Sequence, residues 1–296
     1  MKINSTKKFF SDSIFASMPG FISIFLSLFA IPIHLKFAGT THYGQYIFLH
    51  LISSLGLLLN LGIGKITSIN IAKNKNSNRI AYNGLKITLR NCSIVLILII
   101  FFYIANIFLN LIPQESLILM AASILLTIFF VTLESIVVGN RIFQVLMFIN
   151  LFYYGCSFSI PSIFLFVQYY DYQITFLGSL LIKLTVVLFS VIFLVKNNYI
   201  KFHKLKNYTE FKSAKWFSIS LLLIQIYDFA DKYLIKTILG PAALAIYYVP
   251  QQLSGKLTIL SKGFSSVLLP SISHTEQRKT QNNDLLWQEA LFQVCK

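Results

Sequence analysis

The stretch QIYDFADKYLIKTILG, residues 225–240, sets Asp228, Asp231 and Lys232 inside an apolar run. In hydrocarbon a carboxylate can carry a proton or a sodium ion, and an ammonium can hold a phosphate oxygen as a compact point charge. Such a group at a helix centre costs about 2.5 to 3.5 kcal/mol on insertion scales, so it asks for a partner or an aqueous cavity. Asp231 and Lys232 follow Asp228 by three and four residues, which puts all of them on one helix face. Two arrangements meet the demand: an Asp228 to Lys232 pair within the helix with Asp231 turned to a neighbour, or a face that lines a wet cleft. Lys183, Lys256 and Lys262 also fall in apolar runs, with no carboxylate at helical spacing to neutralise them. Snorkelling to the interface suits Lys262 better than Lys183 or Lys256. An anionic ligand would supply what they lack, so Lys183, Lys256, Lys232 and Lys262 are the candidate substrate-binding residues. Asp228, Asp231 and Glu134 are coupling or structural carboxylates; Glu134 lies about two turns before Arg141 and could serve either way.

These residues need membrane helices to position them. The chain has 296 residues, is 56% hydrophobic and 12% charged and contains 28 Phe, a composition foreign to soluble domains. Several windows exceed the roughly 18 to 20 apolar residues that cross about 30 Å of hydrocarbon. Helices, which satisfy their own backbone groups in lipid, are expected at about 13–36, 44–64, 91–112, 116–138, 145–168, 173–195, 216–238 and 246–270. The fold class is therefore all-α, a polytopic bundle of about eight transmembrane helices. The net charge of +15 sits between the spans and not on a polar surface, which argues against nucleic acid as a partner. Basic residues gather before the first helix and in the loops at 65–90 and 196–215, whereas the intervening loops hold almost none. The positive-inside rule then gives a multi-pass protein with a cytoplasmic N-terminus, its first apolar stretch an uncleaved transmembrane helix.

Other motifs add or exclude. FAGTTHYGQY (37–46) and ILGPAALAIY (238–247) align with Gly39 on Gly240, Gly44 on Ala245 and Tyr46 on Tyr247, each at a turn entering the next helix. Such a parallel repeat divides the chain into a six-helix lobe (1–200), a basic cytoplasmic linker (201–215), the first two helices of a second lobe (216–272) and a cytoplasmic amphipathic tail (273–296). Pro19, Pro32, Pro161 and Pro250 should bend their helices. His34, His42 and His50, beside the first outer turn, are expected at the interface, and Cys92, Cys156 and Cys295 have no metal-ligand spacing. No P-loop or dinucleotide fingerprint occurs, and no cofactor is implied. The outer loops, whose only acids are Glu115 and Asp171, are poorly equipped to handle a sugar donor, which argues against a membrane glycosyltransferase or polymerase.

The stretches FAGTTHYGQYIFLHLISSLGLLLNLGIGKITSINIAK and DFADKYLIKTILGPAALAIYYVPQQLSGKLTILSKGFSSVLLPSIS resemble the polysaccharide-biosynthesis flippases, O-antigen flippases included. That family shares a superfamily with the multidrug and toxin extrusion antiporters. The resemblance rests on a Tyr-Gly-x-Tyr entry to helix two, an Asp-Lys followed by Leu-Gly, a later Tyr, and a Pro-Ser closing helix eight. It implies two related lobes around a central cavity and transport of a polyprenyl-diphosphate-linked oligosaccharide to the outer leaflet. The partners implied are that lipid-linked oligosaccharide, membrane lipids and polysaccharide assembly proteins. This sequence holds fewer helices than the family, which implies a chain shortened at its C-terminus or completed by another chain. A drug or cation antiporter of the same fold and a remnant without transport are the alternatives; the antiporter would favour buried carboxylates over lysines.

Overall fold

Runs of Leu, Ile and Phe broken only by short polar segments can bury their backbone in lipid as helices and in no other open form. The computed structural model describes residues 2–73, 77–109, 114–163, 171–200 and 214–256, and there the chain is helical throughout apart from short turns. In order the helices are α1 (Lys2–Leu59), α2 (Ile63–Lys73), α3 (Ser77–Leu109), α4 (Gln114–Gly139), α5 (Phe143–Asn150), α6 (Ser157–Ile163), α7 (Tyr172–Lys196), α8 (Ala214–Leu239) and α9 (Pro241–Lys256). A π-helical turn, Leu151–Cys156, joins α5 to α6, so those pieces form one rod. The chain is a multi-pass membrane bundle: segments 11–59, 77–107, 114–139, 143–163 and 172–196 are long and apolar enough to cross. The first of these is two rods, because Gly39 breaks α1 with φ 83° and ψ 169°. Helix α8 has the length of a span, but its Asp and Lys residues hold its hydropathy down.

The eight expected rods are therefore present as far as the described residues reach, with two corrections. The basic segment at 65–90 is not an open loop. It folds into α2 and the first turns of α3, which tuck Ile66, Thr67, Ile71, Ala72, Ile80 and Ala81 inward and leave their cations outside. Of the helices containing proline, α1 departs from helical backbone at Gly39 and not at Pro19 or Pro32. Pro161, which lacks an N–H for the Ser157 carbonyl, sits just after the π turn, where the Tyr46 hydroxyl fills in: it donates to Phe158 O at 2.8 Å and lies 3.5 Å from Ser157 O.

Helix α4 is the axis of the first unit, with α1, α2, α3 and α7 packed around it. Its core face meets Phe143, Leu146, Tyr153, Val186 and Leu194. Large apolar side chains such as Phe25, Phe29 and Phe101 point outward, as they must where the solvent is acyl chain. Small hydroxyl residues lie between helices instead, which lets the rods approach closely and pairs polar atoms across them.

Helices α8 and α9 pack on α1, and their turn repeats the one inside it. Gly240 adopts φ 88°, matching φ 83° at the aligned Gly39, a left-handed conformation that side-chain-bearing residues avoid. The two turns meet. A Cβ on Gly44 would lie 1.8 Å from the Pro241 carbonyl oxygen, so the backbones touch at a point only glycine allows.

Candidate functional site

Among the described residues, one ammonium is buried between α1, α4 and α7. Lys183, about halfway along α7, is 5% exposed. Its Nζ donates to Ser53 Oγ on α1 at 2.9 Å and to Ser123 Oγ on α4 at 3.2 Å. The rings of Tyr153 and Phe176 stand 5.6 and 5.9 Å from it, offering their negative faces. The hydroxyls continue as a network: Ser53 bonds Ser123 and approaches Thr127 Oγ1 at 3.5 Å, and Tyr153 donates to that Thr127 oxygen at 2.9 Å. Helices α1, α4, α7 and the π turn are thus tied at a single cation, and among the described residues no ion pair includes it.

Next to this node lies an aromatic and histidine layer, which corrects the interfacial placement of the histidines. His34 is fully buried, its Nδ1 3.0 Å from Ser162 Oγ and its ring against Tyr43 and Tyr46. The His50 ring meets Tyr46, Phe158 and Phe176 edge-on at 4.6 to 5.1 Å. Only His42, half-buried and edge-on to Tyr172 at 6.1 Å, stays near the turn. The signal was present in the spacing: Tyr43, Tyr46 and His50 fall at i, i+3 and i+7, one inward stripe of a helix.

The second place where charge is concentrated is the seam between α1 and the α8–α9 pair. Lys232 is buried there, with Nζ 3.5 Å from Asp231 Oδ1, and Asp231 Oδ1 also accepts from the Lys232 backbone N–H at 2.7 Å. The other Asp231 oxygen accepts from Tyr247 of α9 at 2.7 Å, so this carboxylate joins the two helices of the hairpin. One turn on, Lys236 Nζ sits 4.2 Å above the Phe48 ring of α1. Asp228 and Lys256 lie in α8 and α9, but their side chains fall outside the described set, and Lys262 lies outside the described residues. Lys183 and Lys232 occupy different places, one within the first unit and one in the seam.

Glu134 on α4 accepts from Asn150 Nδ2 at 2.8 Å and faces the Lys65 ammonium of α2. Nearby, Arg141 pairs with Asp12 at 3.6 Å and ties the start of α1 to the corner after α4. The hydroxyl partners Ser53, Ser123 and Thr127 were not foreseen, because isolated Ser and Thr in apolar runs look alike until helices are placed side by side. Among the described residues no cluster of His, Cys, Asp and Glu could hold a metal.

The architecture is similar to that of known transporters. A point mutant of a MATE protein superposes with a TM-score of 0.70 at 18% identity, covering 96% of this chain and 69% of that one. An outward-facing multidrug resistance MATE family transporter of the MOP superfamily gives a TM-score of 0.67 at 14% identity, over 94% of this chain and 68% of that chain. A MOP superfamily transporter from Pyrococcus furiosus, whose binding pocket has reverse polarity suggesting a different function, gives 0.63 at 14% identity, over 89% and 63%. This chain thus spans about two thirds of the length of those it resembles. No family model and no curated protein matches it. At these identities the likeness establishes the fold, which is that of the MATE transporters.

Proposed function

We propose that the chain is a transporter of this fold that moves a polyprenyl-diphosphate-linked oligosaccharide, an O-antigen or related surface unit, across the bacterial cytoplasmic membrane. The observation that carries the reading is the sign of the interior charge: Lys183 is buried among neutral hydroxyls and rings with no described carboxylate. Keeping an ammonium there costs free energy, and an anionic cargo returns some of it while a cationic drug adds to it. Lys232 and Lys236 extend the positive character to the seam. In this account residues 1–200 form one lobe, residues 216–272 begin a second that is related by the repeat, and the seam at Gly44 and Pro241 is the end of the cleft that closes. The basic loops and the N-terminus face the cytoplasm. Lys256 and Lys262 are assigned to the cleft with Lys232, and Asp228, Asp231 and Glu134 balance charge or couple an ion.

Deleting the gene tests this. Loss of surface polysaccharide together with accumulation of lipid-linked units inside the cell is expected, reversed by the wild-type gene. A normal surface in the deletion strain, with exported cationic drugs accumulating instead, would assign the fold to drug antiport.

A further inference from the structure

Helix α3 carries a feature that transport does not use. It packs on α2 and α4, away from the α1–α8–α9 seam, and much of its length faces outward. On that outward side Lys86, Arg90, Ser93, Ile97, Phe101 and Ile104 share one face, since successive members are three or four residues apart. The face is polarised along the axis. Its first part, Lys86 to Ser93, lines an open groove of about 310 Å³ with Ile87 and Leu89. The rest is apolar, with Ile97 65% and Phe101 73% exposed. Ser93 turns its hydroxyl back to the Leu89 carbonyl at 3.1 Å, which leaves polar recognition to the two cations. Neither α2 nor α3 contains a single acidic residue, while together they carry Lys65, Lys73, Arg79, Lys86 and Arg90.

We infer that this face binds one anionic phospholipid, its phosphate held by Lys86 and Arg90 and an acyl chain laid along Ile97 and Phe101. The dimensions agree: Arg90 to Phe101 spans about 16 Å at 1.5 Å per residue, one leaflet's share of about 30 Å of hydrocarbon. Guanidinium and ammonium side by side suit a phosphate, the first through its planar fork and the second as a point charge. The occupant is a bilayer phospholipid and not the transported lipid, because α3 packs on α2 and α4, whereas the seam is built by α1, α8 and α9.

Native mass spectrometry of the full chain, released from micelles containing equal phosphatidylglycerol and phosphatidylcholine, tests the site. The wild-type protein should retain one phosphatidylglycerol in preference to phosphatidylcholine. Lys86→Gln with Arg90→Gln should weaken that preference roughly thirty-fold, two surface cations at about 1 kcal/mol each. Lys86→Arg with Arg90→Lys should keep it, as should Lys196→Gln at the end of α7. Equal retention of the two lipids by wild type overturns the site, as does an unchanged preference in the double glutamine variant. Displacement of phosphatidylglycerol by an equal amount of a polyprenyl diphosphate overturns the choice of occupant. Thermal unfolding in phosphatidylcholine alone should be the same for all variants, which separates lost binding from lost folding.

Discussion

The contact between Gly44 and Pro241 gives the sharpest prediction about movement. A Cβ at residue 44 would stand 1.8 Å from the Pro241 carbonyl oxygen and 2.5 Å from its carbon. Ordinary contact begins near 3.4 Å, so the two backbones must part by about 1.6 Å for alanine and further for leucine. No side chain can swing away to relieve this, because the obstruction is main chain. Overpacking of this kind costs about 1 to 3 kcal/mol, which shifts the balance between closed and parted seams by about 5- to 150-fold. Ala245, 1% exposed and the repeat counterpart of Gly44, reports the change. In a background with Cys92, Cys156 and Cys295 replaced by serine, Ala245→Cys should react slowly with a membrane-impermeant maleimide added from the Gly39 side. Adding Gly44→Leu should speed the reaction at least fivefold and lower transport, because the parted seam becomes the resting state. Equal labelling rates in the two backgrounds, with the protein folded in both, would refute the idea that this contact closes the cleft.

Two further outcomes follow from the site geometry. Lys183→Met removes a buried charge and keeps the length of the side chain, so thermal stability should hold or rise while surface polysaccharide is lost; Ser53→Val with Ser123→Val, by contrast, strands the ammonium and should cost about 3 to 5 kcal/mol, which Lys183→Met then restores. Tyr46→Phe should cost about 0.5 to 1.5 kcal/mol in unfolding measurements, because it removes one buried hydrogen bond from Phe158 O, which keeps Ser162 Oγ at 3.3 Å; Tyr247→Phe, at a position 40% exposed, should cost less than half of that.

Much of the architecture was legible because membrane insertion imposes it. A run of twenty apolar residues has one backbone solution in lipid, so the rods could be placed from composition alone. The aligned turns were legible for a similar local reason: Gly39 and Gly240 each precede a helix and each must take positive φ. Helix α2 was missed because its cations resemble a loop, and the apolar stripe beneath them, Ile63, Ile66 and Ile71, becomes informative only against α4. The candidate site was legible as residue types but not as geometry. Lys183 announced itself by lacking a carboxylate, yet its two serine partners lie 130 and 60 residues away in sequence, and no spacing rule reaches across helices. His34 and His50 were misplaced because nearness to a turn in sequence says little about which face of the helix a ring occupies.

The most direct test is flipping by the purified chain in proteoliposomes, with a polyprenyl-diphosphate-linked oligosaccharide loaded in the inner leaflet and its glycan read from outside by an impermeant lectin. The wild-type chain should bring the glycan out much faster than protein-free vesicles do, Lys183→Met should fall back to the protein-free rate, and a cationic dye should not be moved. Glycan exposure no faster than in empty vesicles, alongside movement of the cationic dye, would contradict the account.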